Sequence, residues 1–495
     1  MTQVWIGLDL GTSGLKAIAL RPDGTVAARA LLAYPTGRSE PQAAEQDPAD
    51  WIAAVQAALS DLAAATDPRR WSAIGLSGMI PTLVTLAADG SPNGPAVTWQ
   101  DGRAELIGEE LRERCGADAL YRRTGQWVDG RYLLPMFLRL AADDPARAAA
   151  TTMLASAKDY LFGWLTGGVA TDPSTATGFG CYALEPGGWD SGVLAAAAGL
   201  IRELGAAAGG RLRPGPLPSL PPVWPSPECR PLRGDVAAAL GCGTVPVCLG
   251  AADSVLGALG LGVREPGEVA YIAGTSNVII GVAGRPVLDP GHRFLVTPLA
   301  GPGRWGLEMD LLATGSAIRW LAGLLGGDLD EAGLVALAAR TDPGDAPVVL
   351  PYLAPGEQGA LWDPGLRGVF AGLELRHGRE HLARGLINGI VLESRRCLAV
   401  LEESWQFTGE IRAAGGSAAS HAFRMNLADA TGRAIVGAGA DCSARGAAMM
   451  AAHARSGEWP PVAGISAAAE PAPERTALWD RLWDRHERTR RATTR

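Results

Sequence analysis

Ile6-Gly7-Leu8-Asp9-Leu10-Gly11-Thr12-Ser13-Gly14-Leu15-Lys16-Ala17-Ile18-Ala19-Leu20 and Val269-Ala270-Tyr271-Ile272-Ala273-Gly274-Thr275-Ser276-Asn277-Val278-Ile279-Ile280 place Gly-Thr-Ser twice in the same setting. Each copy has an apolar run, a glycine turn and a second apolar run, which predicts strand, tight turn, strand. A glycine turn with two hydroxyls offers N–H and O–H donors to an anion. Two such turns in one chain suggest two domains gripping one polyphosphate from opposite sides, and so phosphoryl transfer.

The chain has 495 residues, enough for two or three domains with ample cores. Apolar residues make up 47% and charged residues 19%, the balance of a globular chain. A formal net charge of −8 argues against nonspecific binding of nucleic acid or anionic membranes. Met1-Thr2-Gln3-Val4 runs straight into strand-like sequence, with neither a basic nor an apolar leader region, so no signal peptide is expected. No apolar stretch is long enough to span a bilayer. The seven scattered cysteines lack metal spacing and read as buried thiols in a reducing cytoplasm. Lys16 and Lys158 are the only lysines.

Further along, Thr25 to Leu32 reads as a returning strand, and Asp47-Pro48 starts a helix from Trp51 to about Ala64. Strands are expected at Trp71–Leu76 and Thr82–Leu86, and helices at Ala104–Arg114 and Leu133–Ala142. Leu212–Pro231 is proline-rich and reads as irregular. Val245–Leu249 is a short strand leading into Gly250-Ala251-Ala252-Asp253-Ser254. A loop over Pro351–Pro364, helices over Arg379–Gln406 and Ala418–Ala430, and the Gly415-Gly416 turn complete the second half. Alternating strands and helices indicate a duplicated α/β architecture with a cleft between halves. The tail from Ala463 reads as a linker plus a solvated terminal helix.

Four places carry candidate chemistry. Asp9 is an acid inside an apolar strand; it is either a capped strand end or a carboxylate that holds hydrated Mg²⁺ near nucleotide phosphates. Asp253 follows a buried strand; it is either a helix N-cap or a catalytic base that takes the proton of a sugar hydroxyl as the O–P bond forms. Trp99-Gln100-Asp101-Gly102-Arg103 suits a sugar, with its apolar face and its ring of hydroxyls, but equally fits a surface turn. Gly415-Gly416 permits close approach of a base or ribose to the backbone.

Together these segments resemble the FGGY carbohydrate kinases, and within that family the xylulose kinases. The resemblance runs from Ile6 to about Ala452. It rests on Asp9 to Lys16, Trp99 to Arg103, Lys158-Asp159-Tyr160-Leu161, Thr171-Asp172-Pro173-Ser174, Gly250 to Ser254 and Gly274-Thr275-Ser276. It continues through Leu350-Pro351-Tyr352-Leu353, Gly356-Glu357, Trp362-Asp363-Pro364, Arg367 to Leu373 and Gly415-Gly416. It implies two duplicated ribonuclease H-like domains of the actin/hexokinase/Hsp70 type, with an interdomain cleft. Residues 1–257 would bind sugar and phosphate, 258–462 nucleotide, and 463–495 form the tail. ATP and Mg²⁺ are implied, with Asp253 as base and Asp9 on the metal. Gly11, Thr12, Ser13, Lys16, Gly274, Thr275, Gly415 and Gly416 would hold the nucleotide. Met79, Ile80, Trp99, Asp101 and Asp253 would meet the sugar. A homodimer is compatible with the family; no nucleic-acid or membrane partner is implied.

The departures fall near the sugar. Xylulose kinases usually read Gly-Gln-Met-His-Gly where this chain has Gly78-Met79-Ile80-Pro81-Thr82. The Lys and Trp of the family's first signature are missing near Pro135 to Arg139, and Ala419 stands where an Arg commonly follows the glycine turn. The usual Gly-Glu-Arg-Thr-Pro loop reads Gly356-Glu357-Gln358-Gly359-Ala360. The acceptor is therefore a ketopentose such as xylulose, or another ketose, polyol or sugar acid. A catalytically degenerate sugar- or nucleotide-binding regulator is a further alternative.

Overall fold

The computed structural model describes residues 3–207, 217–327, 329–354, 359–363 and 365–493. Gly356, Glu357, Gln358 and Pro364 of the expected loop motifs lie outside the described residues, as do positions 212–216 of the expected irregular segment. The chain divides into two compact units. The first comprises Met1–Gly260, Val296–Pro302 and Ser443–Pro461; the second comprises Leu261–Leu295, Gly303–Cys442 and Val462–Arg495.

The first unit is built on strands β1 (Val4–Leu10), β2 (Gly14–Leu20), β3 (Val26–Ala33), β4 (Trp71–Gly78), β5 (Cys229–Pro231) and β6 (Pro246–Ala252), in the order β5-β6-β4-β1-β2-β3. β1 to β3 form an antiparallel meander, and β4 and β6 run parallel to β1. All seven residues of β1 are buried, as an apolar run in a covered sheet requires. Helix α1 (Pro48–Ala65) packs on β2 and β3. Asp47 caps it by accepting from Ala49 N, Pro48 occupies its first turn, and Trp51, Val55, Leu59 and Leu62 recur on the buried side. Helix α2 (Ala157–Thr166) starts with a capping box between Ser156 and Asp159. Helix α3 (Asp253–Gly260) follows β6 without a loop.

The second unit repeats this plan. Its strands β7 (Val269–Ala273), β8 (Asn277–Ala283), β9 (Trp305–Leu311), β10 (Ile411–Gly415) and β11 (Ile435–Gly437) lie in the order β9-β8-β7-β10-β11. Again three strands are antiparallel and two are parallel to the first. Helices α4 (Gly315–Leu325), α5 (Arg379–Ser404) and α6 (His421–Thr431) belong to this unit, and α5 packs on β8 and β9. The helix expected at Ala418–Ala430 opens as a 3-10 turn, Ser417–Ala419, because Ser420 then caps α6.

Residues 443–461 were expected with the C-terminal half but pack in the first unit. Most of helix α7 (Cys442–Ser456) lies in this stretch. A Cβ on Gly7 would stand 1.9 Å from Ala444 O, and one on Gly75 1.9 Å from Ala447 O. The alanines of α7 therefore rest directly on the backbone of β1 and β4.

The tail also differs from expectation. Helix α8 (Pro473–Thr493) is docked rather than solvated, with Trp479, Leu482 and His486 buried. The Glu393 carboxylate is buried on α5; it accepts from Tyr352 Oη at 2.7 Å and Arg396 Nε at 2.9 Å, and meets His486 Nε2 at 2.6 Å. Burial alone would raise the Glu393 pKa, but Arg396 and His486 hold it at about 2. The thiol expectation is corrected as well. Cys229 and Cys248 face each other across β5 and β6 and form a disulfide, whereas Cys115, Cys181, Cys242, Cys397 and Cys442 form none.

Gly75→Ala should lower the unfolding free energy by about 1–3 kcal/mol, since strand or helix must move aside; urea unfolding measures it. The Glu393 carboxylate, ordinarily near 4.5, stabilises the fold while ionised. That contribution is complete above pH 4.5 and is lost as the pH falls towards about 2. Thermal unfolding across this window should show a steeper decline for the native chain than for Glu393→Gln.

Candidate functional site

The register of the first sheet sets the positions of the acids. Asp9 on β1 pairs with Ser77 on β4, and Ser77 pairs with Ala251 on β6. Asp253 stands two residues beyond Ala251, at the start of α3. With strands about 4.8 Å apart, β1 and β6 are separated by about 10 Å. Both acids thus sit at the carboxyl ends of parallel strands, where α/β sheets bind ligands. Asp9 is buried and accepts from Ser77 Oγ at 2.8 Å. Asp253 is half-buried, and its Oδ1 accepts from Ser254 N at 2.9 Å. Lys16 pairs across the hairpin with Asp9, is exposed, and carries an ammonium on the same face.

The first turn is tightly braced. Gly11 N donates to Gly14 O at 3.1 Å. Gln46 Nε2 donates to Thr12 O at 2.7 Å, and Trp99 Nε1 donates to Thr12 Oγ1 at 2.9 Å. Tyr34 Oη donates to Gly11 O; burial first, and then the charge on Asp9, push its pKa upward. Thr12 Oγ1 accepts from Trp99 and keeps its own proton to donate, while Ser13 is exposed. Ser77, Gln46 and Tyr34 were not singled out in sequence, since each is an ordinary residue in a segment without a motif.

The sugar-contact candidates are placed unequally. Trp99 is half-buried with its indole nitrogen committed to Thr12. The buried Asp101 carboxylate holds Arg103 at 2.6 Å and accepts from Ala44 N at 2.9 Å and Arg103 N at 3.0 Å. It thus anchors its own loop. Met79 lies in the core of the first unit, and Ile80 is half-buried beside Gly178.

The second unit gathers its own cluster. Gly274 N donates to Ser276 O at 2.9 Å, so this turn is one residue tighter than the first. Thr275 Oγ1 accepts from Arg319 Nη2 at 3.3 Å, and Thr275 O accepts from Ser316 N at 3.0 Å. Gly416 N donates to Ala273 O at 2.8 Å, which brings the Gly415-Gly416 turn beside Gly274. Gly415 has φ +98°, and a Cβ there would stand 2.0 Å from Ala273 O, so only glycine fits. Glu331 pairs with Arg319 at 3.2 Å and borders Gly416, and burial raises its pKa. Arg319, Ser316 and Glu331 were missed because they sit in runs of Ala, Gly and Leu that carry no signature. Asn277, buried, spends its amide on Tyr271 Oη and Thr314 Oγ1.

Two units of the same strand order, each with a Gly-Thr-Ser turn at the end of its first strand, define a two-domain α/β protein of the actin/hexokinase-like ATPase fold. Residues 4–260 match the N-terminal domain, and 269–455 the C-terminal domain, of the FGGY family of carbohydrate kinases. The chain belongs to that family and is a carbohydrate kinase. It is 30% identical over 434 residues to the xylulose kinase of Escherichia coli (strain K12), covering 87% of this chain and 86% of the relative. It is 27% identical over 444 residues to the gluconokinase of Bacillus subtilis (strain 168), covering 87% and 83%. The crystal structure of xylulose kinase from Rhodospirillum rubrum matches with a TM-score of 0.85 at 29% identity, covering 98% of each chain. Among the described residues no helix is long and apolar enough to cross a membrane.

Asp101→Asn should lower the melting temperature, because Arg103 and Ala44 N lose a shared carboxylate, at about 1–3 kcal/mol. Loss of sugar affinity with an unchanged melting temperature would instead make Asp101 a sugar contact.

Proposed function

We propose that the chain transfers the γ-phosphoryl group of ATP to a hydroxyl of a ketopentose such as xylulose, releasing the sugar phosphate and ADP. The observation that carries this reading is the register Asp9–Ser77–Ala251, which brings both acids to the carboxyl end of one sheet. Asp253 accepts the hydroxyl proton as the new O–P bond forms and the bond from the γ-phosphorus to the ADP oxygen breaks. An aliphatic hydroxyl is a poor nucleophile while protonated, so a carboxylate aimed at it lowers the barrier.

Asp9 suits Mg²⁺. This ion takes one or two carboxylates and fills its remaining positions with water and phosphate oxygens. Bound there with ATP, Mg²⁺ would neutralise charge building on the phosphates. Thr12, Ser13 and Thr275 carry hydroxyl donors for phosphate and Lys16 adds a positive charge, while the N–H groups of Gly11 and Gly274 are spent closing their own turns. Gly415 and Gly416 leave room for the nucleoside. In this reading the first unit holds the sugar and the second the nucleotide.

A second reading changes only the acceptor. Ile80 and Pro81 offer no side-chain hydrogen bond where xylulose kinases present a histidine. A gluconokinase is also among the relatives. Another ketose, a polyol or a sugar acid therefore competes with xylulose.

Asp253→Asn should lower sugar-dependent ADP release by at least about 10²-fold while leaving ATP affinity within about threefold. Full turnover in that variant would remove Asp253 from the chemistry. A coupled ADP-release panel of ketoses, alditols and sugar acids should give one acceptor with the highest kcat/KM. Xylulose in that place supports the first reading and a sugar acid the second; silence on every substrate contradicts both.

A further inference from the structure

Behind the segment that delivers Asp253 lies a sealed group of charges that the reaction above does not use. Lys158, in the first turn of α2, is 1% exposed at its side chain. Its Nζ lies 3.2 Å from Asp159 Oδ1 and 3.2 Å from Asp172 Oδ1, and donates to Leu249 O at 3.3 Å. Asp159 Oδ2 also accepts from Ser156 N. Asp172 accepts from Ser174 N at 3.0 Å, Ser174 Oγ at 2.5 Å, Thr175 Oγ1 at 2.6 Å and Ser226 Oγ at 3.4 Å. Ser174 Oγ donates its proton to Asp172 and accepts from Ala252 N at 3.0 Å, the amide immediately before Asp253.

These bonds land where β6 needs them. Its register with β4 slips between Cys248 and Ala251. Gly250 has φ +72°, and a Cβ there would lie 1.6 Å from Leu76 O. At such a bulge the strand's polar groups must find partners outside the ladder. They find four: Glu228 O for Leu249 N at 2.8 Å, Lys158 Nζ for Leu249 O, Ser226 O for Gly250 N at 2.9 Å, and Ser174 Oγ for Ala252 N. A buried ammonium with two carboxylates is costly to desolvate and adds little net stability. Its use lies in fixing a geometry.

We propose that Ser174, held by Asp172 and Lys158, is a positioning residue that sets the angle at which β6 presents Asp253. The proposal rests on Asp253 being the base. Ser174 acts only through the backbone before Asp253, so its loss belongs in kcat rather than in substrate affinity. A 1 Å displacement of a reacting group costs about 10²-fold.

The test is a double-mutant cycle of Ser174→Ala and Asp253→Asn on the full-length protein with its best acceptor from the panel. Ser174→Ala alone should lower kcat by about 10²-fold, with KM for sugar and for ATP within about twofold. In the Asp253→Asn background the same change should lower the residual rate by less than about twofold, since the group it positions is already gone. Circular dichroism and melting temperature check folding; should Ser174→Ala not fold, Ser174→Cys, similar in size and a weak acceptor, is read the same way. Native kcat in the Ser174 variant beside an inactive Asp253→Asn overturns the positioning role and leaves the base intact. An equal rate loss in both backgrounds also overturns it. An active Asp253→Asn removes the base reading itself.

Discussion

The parallel ladder through β4 is the constraint on which the rest depends. Strand pairing allows no gradual adjustment: a slip of one residue would turn Asp9 and Ser77 to the opposite face. Because Asp9, Ser77 and Ala251 share one register, the separation of the two acids is set by hydrogen-bonded backbone rather than by flexible side chains. The close seat of α7 on Gly7 and Gly75 fixes β1 and β4 from one side. The Lys158 cluster fixes β6 from another element. A phosphoryl-transfer site gains from such rigidity, since positioning and charge account for most of its catalysis.

The unit plan and both Gly-Thr-Ser turns were legible because each is local: an apolar run, a glycine that closes the turn, and hydroxyls beside it. Asp9 and Asp253 stood out as acids at the ends of apolar strands. The return of residues 443–461 to the first unit was not legible, because alanines in a helix do not say which glycines they cover. Burial of the tail depends on His486 meeting Glu393, 93 residues away in the chain. The Cys229–Cys248 bond arises from strand pairing that the proline-rich segment masked. Arg319 and Glu331 become site neighbours only once α4 begins against Gly274.

The two halves of the catalytic task differ in how strictly the fold dictates them. In the proposed reading, phosphate meets residues braced by others, such as Thr12 between Gln46 and Trp99. The proposed acceptor end would rely on side chains. There Met79 has gone into the core, Ile80 is apolar, and Asp101 anchors its own loop through Arg103 and Ala44. Backbone-built phosphate sites tolerate little change, while a sugar pocket can be rewritten one side chain at a time. That asymmetry is why membership of the carbohydrate kinases is plain while the acceptor is a matter for assay.

A crystal structure with ADP, Mg²⁺ and the preferred acceptor would show whether Asp253 faces the reacting hydroxyl. An Asp253 carboxylate oxygen should lie about 2.6–3.2 Å from the hydroxyl that becomes phosphorylated, with Asp9 facing the metal. An acceptor hydroxyl directed at another side chain, with Asp253 pointing away from it, would rule Asp253 out as the base.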